Sequence, residues 1–345
     1  MKSLIVVHPV FESVWPFAAE ELYRVWRTES GEETVEFRRL DADEDRPLED
    51  LIDEPEGISR LVSLCVPVED ESLSSFTDLE QSTIMTDSTY APDEAVVDAL
   101  SARGVTHHWH ESEGFWAPSV AELALGLTIS ALRQIPQNHA SITESQEDWD
   151  VEMLEPQIPG AGGYQYVANP PAHIHGTIAG KRVRIVGVGN IGSRYADVCA
   201  SLGADVAAYD PYADEPCFHR AGARRVYSLS EVAEDAEIFA PMVPLLESTR
   251  GLIDADLIEA IPEGALVVLA TRAGIVEGDA LRDRVLAGEL ALAADVFDGL
   301  AGEPVPLDDP LLGRGNVVHT PHIAGRTRNA NRRWAEMLAE RYDPA

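Results

Sequence analysis

Along this chain, short apolar runs rich in β-branched residues alternate with longer stretches of helical periodicity. Residues 3–7 are apolar, 17–26 repeat at helical spacing, and 34–40 read as an exposed strand. Residues 58–66 and 82–86 read as buried strands, and an amphipathic helix over 93–103 ends at Gly104, before a further strand at 105–109. Such alternation predicts a parallel sheet with helices outside it, here a small flavodoxin-like α/β domain. A long helix over 120–135 follows, opened by Pro118 or Ser119. It is apolar almost all round, which predicts burial between domains. Residues 138–176 carry Trp149, a glycine-rich stretch and paired prolines, and read as a long irregular surface connection. From residue 181 the rhythm is regular, with apolar runs at 183–186, 205–209, 237–243, 265–270, 290–297 and 316–320. Six such strands match a Rossmann doubly wound parallel sheet. The last segment, 326–342, is polar and arginine-rich, with Trp334, Met337 and Leu338 on one face.

The first of the regular strands runs into Gly187, Gly189 and Gly192, spaced G-x-G-x-x-G, and then into a helix-length segment closed by Gly203. The first glycine permits a tight turn, the second lets a pyrophosphate approach the backbone, and the third lets the helix pack on the strand. The helix N-terminus then offers free N–H groups and a positive dipole end to the phosphate. Asp210 ends the next strand, about 20 residues on, where a carboxylate accepts both ribose hydroxyls of NAD and repels a 2′-phosphate. The strand before, the helix within and the acid after raise this motif above a chance glycine turn. Arg220, Arg224 and Arg225 follow the second strand, so NADP stays open beside NAD.

Charge changes the picture of the surface. There are 60 acidic and 26 basic residues, a net charge of −34. Such a surface repels nucleic acid and anionic membranes. Self-repulsion on this scale needs screening, a pattern that resembles proteins of salt-accumulating halophilic archaea. No apolar run reaches about 18 residues, so no membrane span is expected. The N-terminus breaks at His8 and Pro9 and lacks the form of a signal peptide. Cys65, Cys199 and Cys217 are odd in number and at no metal or redox spacing, which suits a reducing cytoplasm.

In open parallel sheets, ligands bind outside the carboxyl ends of the strands. Arg272 follows the run at 265–270, Asp298 and Glu303 follow 290–297, and Pro321 and His322 follow 316–320. An arginine, a carboxylate and a histidine are therefore expected over the sheet edge that carries the glycine turn. Oxidising an alcohol with NAD needs a base for the hydroxyl proton and gains from a cation on a carboxylate or developing oxyanion. A carboxylate beside the histidine orients it and stabilises its protonated form.

These motifs resemble the D-2-hydroxyacid dehydrogenases, well over about 113–325 and only in rhythm over the N-terminal third. The carriers are the helix segment APSVAELALGLTISALR, the loop VGVGNIG, PLLESTRGLI of the P-L-x-x-x-T type, TRAGIVEGDAL, DVF followed by EP, and TPHIAG. The resemblance implies that Arg272 binds the substrate carboxylate and carbonyl, that His322 is the general acid/base, and that Glu303 pairs with it. It implies cofactor contacts from Gly187, Gly189, Asn190, Ile191, Gly192, Asp210, Pro244, Thr249, Thr271 and Asp295. It implies substrate contacts from Arg272, His322 and backbone N–H groups of the first domain, here in the loop of Val66 and Val68. It also implies a substrate-binding domain of 1–113 completed by 326–345, an NAD-binding domain of 114–325, an active site in the cleft between them, and a homodimer. Ala273 stands where glycine is usual, Glu277 where aspartate is, and Pro67 removes one loop N–H. The interval from Asp295 to Glu303 runs longer than usual across 299–302, while that from Glu303 to His322 is normal, which favours Glu303 over Asp298.

The reaction expected is transfer of a hydride between NAD(H) and a small 2-hydroxy or 2-keto acid. Two rivals share a related or the same fold. A formate-dehydrogenase-like enzyme would want glutamine in place of Glu303. A non-catalytic NAD(H)-sensing corepressor or scaffold would tolerate the same residues, although the acidic chain shows no basic patch or long tail for it. His107, His108 and His110, and the pair His173 and His175, lack partners for a four-ligand site, so no metal is expected. The first three can still line the cleft. His319 precedes its strand end and reads as a strand residue. Phe115 and Trp116 read equally as cleft aromatics or as hinge packing.

Overall fold

The structure, a computed structural model, describes residues 2–30, 34–87, 92–109, 114–146, 152–154, 163–165 and 173–342. The chain forms two compact units, residues 1–116 with 326–345, and residues 117–325. His110, Trp149 and most of 147–172 lie outside the described residues.

The first unit is built on β1 (Lys2–Val7), β2 (Val35–Arg39), β3 (Ile58–Leu64), β4 (Gln81–Met85) and β5 (Thr106–His107). All pair in parallel, in the order β2-β1-β3-β4-β5 of flavodoxin-like sheets. Successive side chains of a strand point to opposite faces, and β1 uses both. Ile5 and Val7 join a core with Trp26, Trp334 and Leu338, whereas Leu4 and Val6 join another with Leu61, Phe76 and Ile84. The helices Ala18–Ser30 and Arg328–Ala339 supply the first of these cores, so the C-terminal segment completes this unit. Phe115 is buried there, and Trp116 stacks on Trp15 at 5.7 Å, so both aromatics pack within the unit.

The stretch expected to be irregular holds more order than that. The helix Ile135–Glu144 runs into it, separated from the preceding helix by Gln134 in the left-handed region. An antiparallel pair, β6 (Glu152–Leu154) and β7 (Gly163–Gln165), follows. The preceding helix, Ala117–Arg133, is not buried all round. Val120, Ala124, Leu127 and Leu132 are buried, while Pro118, Glu122, Gly126, Ile129 and Arg133 form an exposed stripe at helical spacing.

The second unit carries β8 (Arg182–Val186), β9 (Asp205–Tyr209), β10 (Arg224–Val226), β11 (Ile238–Pro241), β12 (Leu266–Leu269), β13 (Ala291–Ala294) and β14 (Val317–His319). Their order is β10-β9-β8-β11-β12-β13-β14, all parallel. This is the Rossmann order 3-2-1-4-5-6 with a seventh strand. Six strands were expected; the addition is β10, three residues long and carrying Arg224 and Arg225 on an edge. The parallel strands are buried by helices on both faces, which is why they read as continuous apolar runs. No described helix is long and apolar enough to cross a membrane.

Candidate active site

The glycine turn is shaped by what would collide there. Gly187 has φ +94°, and a Cβ on it would stand 2.7 Å from the Val243 side chain. A Cβ on Gly192 would stand 2.0 Å from the Gly187 carbonyl oxygen, so only glycine lets the helix start this close to β8. Gly189 is exposed with nothing within 4 Å of a built Cβ, which leaves its backbone open to a ligand. Asn190 is exposed beside it, and Ile191 opens the helix Gly192–Ser201. That helix has no side-chain cap and no acidic residue in its first turn. Its N-terminal dipole end therefore faces no negative side chain of its own. These features fit a dinucleotide pyrophosphate.

Asp210 sits at the end of β9 and reaches back to the turn. Its carboxylate accepts Val188 N–H at 3.0 Å on one oxygen, and Tyr212 N–H at 2.9 Å and Ala213 N–H at 3.0 Å on the other. A carboxylate offers about four acceptor positions, so this one has room for one more donor rather than for two ribose hydroxyls held independently.

Beyond β12 the chain passes Thr271, which is buried, and Arg272, which is exposed. The Arg272 guanidinium donates to the Thr271 carbonyl at 2.8 Å. A short 3-10 turn, Ala273–Ile275, then begins. Pro244 and Thr249 belong to the neighbouring loop after β11. The Thr249 hydroxyl donates to the Pro244 carbonyl at 2.6 Å and accepts Leu246 N–H at 2.8 Å, so it closes that loop on itself.

After β14, His322 adopts φ +52°, a left-handed conformation uncommon outside glycine, though histidine enters it more readily than most residues. Asp295 holds it there. The Asp295 carbonyl accepts His322 N–H at 2.8 Å, and its carboxylate takes Thr320 Oγ1, Ile323 N–H at 2.9 Å and Ala324 N–H at 2.8 Å. Asp295 has no exposed surface. Asp295, expected among the cofactor contacts, thus uses its carboxylate to hold the loop that presents the histidine. The His322 ring meets Glu303 through Nδ1 and Oε2 at 2.7 Å, with the two side chains 31% and 30% exposed. The other Glu303 oxygen accepts Phe297 N–H at 2.7 Å. Burial pushes the Glu303 carboxyl up, but the His322 ring, the Phe297 N–H and the Arg272 charge together hold it below the usual carboxylate value. Glu303 is therefore an ionised partner for the histidine.

The second unit thus brings the glycine turn, Arg272, Glu303 and His322 to the carboxyl edge of one sheet. Asp298, passed over as a partner for His322, is occupied elsewhere: it accepts Ala273 N–H at 3.0 Å and Gly274 N–H at 3.3 Å. The contribution of Thr320 was also missed. Each is the polar residue beside a strand end, which is the signal that found their neighbours. His319 is the last residue of β14, edge-on to Phe297.

The first unit departs from expectation at Val66. Its side chain is fully buried and its N–H donates to the Met85 carbonyl at 3.2 Å, so neither is free for a substrate carboxylate. Val68 is half-buried against the same core. Neighbouring Cys65, at φ +58°, gives its thiol to the Asp87 carbonyl, and burial pushes that thiol up to about 12. His107 is half-buried, with both ring nitrogens buried and without a bond among the described residues, and His108 meets Gln81 at 2.8 Å. No group of three or more potential metal ligands occurs among the described residues.

Residues 125–324 match the model of the D-isomer specific 2-hydroxyacid dehydrogenase, NAD binding domain. The chain belongs to this family. Its dinucleotide is NAD, the ligand of that domain. The chain is 32% identical over 315 residues to a D-3-phosphoglycerate dehydrogenase of Mycobacterium bovis, covering 89% of this chain and 52% of that one. It is 31% identical over 232 residues to a hydroxypyruvate reductase of Thermotoga maritima, covering 66% of each. The chain spans about half or less of the phosphoglycerate dehydrogenases it matches, down to 38% of that of Archaeoglobus fulgidus. Among solved structures, the NAD-complexed D-isomer specific 2-hydroxyacid dehydrogenase of Lactobacillus delbrueckii ssp. bulgaricus shares the fold at a TM-score of 0.69 and 20% identity, over 99% of this chain and 95% of that one.

Proposed function

We propose that this protein is an NAD-dependent dehydrogenase that interconverts a small 2-hydroxy acid and its 2-keto acid. The observation that carries the proposal is the 2.7 Å contact between His322 and an ionised Glu303, on the edge that bears Arg272 and the glycine turn. NAD, when bound, supplies the site that gives or takes a hydride. The glycine turn would hold its pyrophosphate, with Gly189, Asn190, Ile191 and the uncapped helix N-terminus around it. Asp210 would accept one ribose hydroxyl, and Pro244, Thr249 and Thr271 would border the remainder. Asp295 would act through the histidine loop.

Arg272 would grip the substrate carboxylate and polarise the adjacent carbonyl. With Nδ1 turned to Glu303, the Nε2 of His322 is left for the substrate oxygen. In reduction it delivers a proton to that oxygen, and in oxidation it removes one. Glu303 balances the imidazolium and fixes its ring. The residues of the first domain would choose the substrate; Val68 remains a candidate contact, and Val66 does not.

Assembly as a homodimer and residence in a salt-rich cytoplasm belong to the same proposal, and light scattering in high salt tests the first. A panel of 2-keto acids with NADH, including hydroxypyruvate and read by loss of NADH absorbance, tests the activity. The variant His322→Ala should lower kcat by about 100-fold or more with NADH affinity kept. A variant with near-normal turnover would overturn the assignment. Silence of the wild type on the whole panel, with tight NADH binding, would favour a non-catalytic NAD(H) sensor instead.

A further inference from the structure

The loop that carries Glu303 does more than pair with the histidine. Leu300, Ala301 and Gly302 all donate N–H bonds to the Phe297 carbonyl, and the Glu303 carboxylate accepts Phe297 N–H. Residues 297–303 therefore close on themselves, with Gly299 at φ +87° and Gly302 at φ +81° making the turns. The loop's two carboxylates point to different elements. Glu303 meets His322, while Asp298 reaches the turn that follows Arg272 and binds the two successive N–H groups of Ala273 and Gly274.

We propose that Asp298 is a positioning residue that fixes Arg272 for the substrate carboxylate, and that the closed loop 297–303 thereby sets the arginine and the histidine relative to each other. The proposal rests on the reading of Arg272 and His322 given above. Several facts support it. Arg272 itself is exposed and, among the described residues, its guanidinium bonds to the carbonyl of the preceding residue, so its direction depends on the backbone on either side. On one side that backbone is β12. On the other it is the Ala273–Ile275 turn, whose first N–H groups have no side-chain cap from within the turn. Asp298 supplies the missing acceptor from another strand end, and a charged acceptor makes the stronger bonds. Space around this contact is limited: a Cβ on Gly274 would lie 3.4 Å from Asp298 Oδ2 and 3.2 Å from Leu245 of the neighbouring loop. The turn is thus confined between Asp298 and Leu245, with little freedom to swing.

The test uses Asp298→Ala and the near-isosteric Asp298→Asn, which has one oxygen in place of two. In Asp298→Ala, kcat/KM for the keto acid should fall on the order of 10- to 100-fold, mostly through KM, because a small misplacement of a substrate clamp is costly. NADH affinity should be unchanged and Asp298→Asn intermediate. In an Arg272→Ala background the further change Asp298→Ala should cost less than about twofold, because residues that act as one unit are not additive. Amide exchange should rise at 273–275 and stay the same at 320–324. An equal loss in both backgrounds would overturn the proposal, as would unchanged exchange at 273–275. A wild type silent on every keto acid would instead overturn the functional reading, and the exchange measurement would still decide whether Asp298 holds the turn.

Discussion

Gly189 and Gly192 are three residues apart and answer to different forces. A methyl group on Gly192 would sit 2.0 Å from the Gly187 carbonyl, inside any tolerable contact, so Gly192→Ala must displace the helix from β8. A methyl group on Gly189 meets nothing of the protein. We expect Gly192→Ala to lower the Tm and to weaken NADH binding together. Gly189→Ala should leave the Tm within about a degree of wild type, because surface changes away from packing cost under about 0.5 kcal/mol, yet weaken NADH binding. Titration of NADH against each variant, beside a thermal melt, separates the two, and a Gly189→Ala protein with wild-type affinity would remove the pyrophosphate from that turn. His107 carries a different residue-scale prediction. The residue is half-buried on β5, neither ring nitrogen is bonded among the described residues, and burial pushes it down to about 4 from 6.5. The folded unit thus binds that proton less readily than the unfolded chain. The penalty is absent above about pH 6.5, grows as pH falls, and is complete below about 4, where the shift amounts to about 3 kcal/mol. His107→Leu should lose less stability than wild type between these limits. Parallel acid titration curves for the two proteins would show that the ring is solvated after all.

At the scale of elements, the C-terminal helix Arg328–Ala339 belongs to the first sheet because Trp334, Ala335 and Leu338 fill its core. Tyr342 then closes the segment: its hydroxyl lies 2.7 Å from Thr83 Oγ1 on β4, and burial pushes it far above its ordinary value. Tyr342→Phe leaves the ring packed and removes the bond, so it should cost about 1–2 kcal/mol in a urea melt, since Thr83 keeps its own bond to the His108 carbonyl. No loss would mean that ring packing alone docks the segment. Elements of this kind were legible where burial made the pattern extreme. The continuous apolar strands β8 and β11 to β13, the glycine turn, and the polar residues at strand ends all follow from short-range chemistry. Elements decided by long-range contact were not. The helix Ile135–Glu144 has no buried residue to give it a stripe. β10 exists because three residues find the edge of β9. Val66 lost its expected role because its N–H found Met85, a partner 19 positions away. Asp295 and Asp298 were seen as polar strand-end residues, but which N–H groups they would hold depended on how three loops fold together.

The whole molecule adds a force that no element shows. Even if every lysine and arginine paired one to one with an acid, 34 carboxylates would lack a basic partner. Two effects of salt then oppose each other. Salt weakens surface ion pairs such as Arg39 with Glu12 and Glu20, or Arg333 with Glu340, but exposed pairs contribute about 0–1 kcal/mol each. Salt also screens the repulsion among the remaining carboxylates, which acts over the full surface. The screening length falls from about 10 Å at 0.1 M to about 3 Å at 1 M, so repulsion between exposed charges further apart than this is largely removed. One pair set is less open to this loss: Arg184 is 2% exposed and bonded to Asp205 and Asp235 beside β8, although both carboxylates are themselves about half exposed. Repulsion is therefore the term that changes most, and the Tm should rise steadily between about 0.1 M and 1 M KCl. Sodium chloride should act alike, because screening depends on ionic strength rather than on the cation. A Tm that is flat or falls across this range would mean that ion pairs outweigh the excess charge, and would remove the physical ground for the proposed salt-rich setting of this protein.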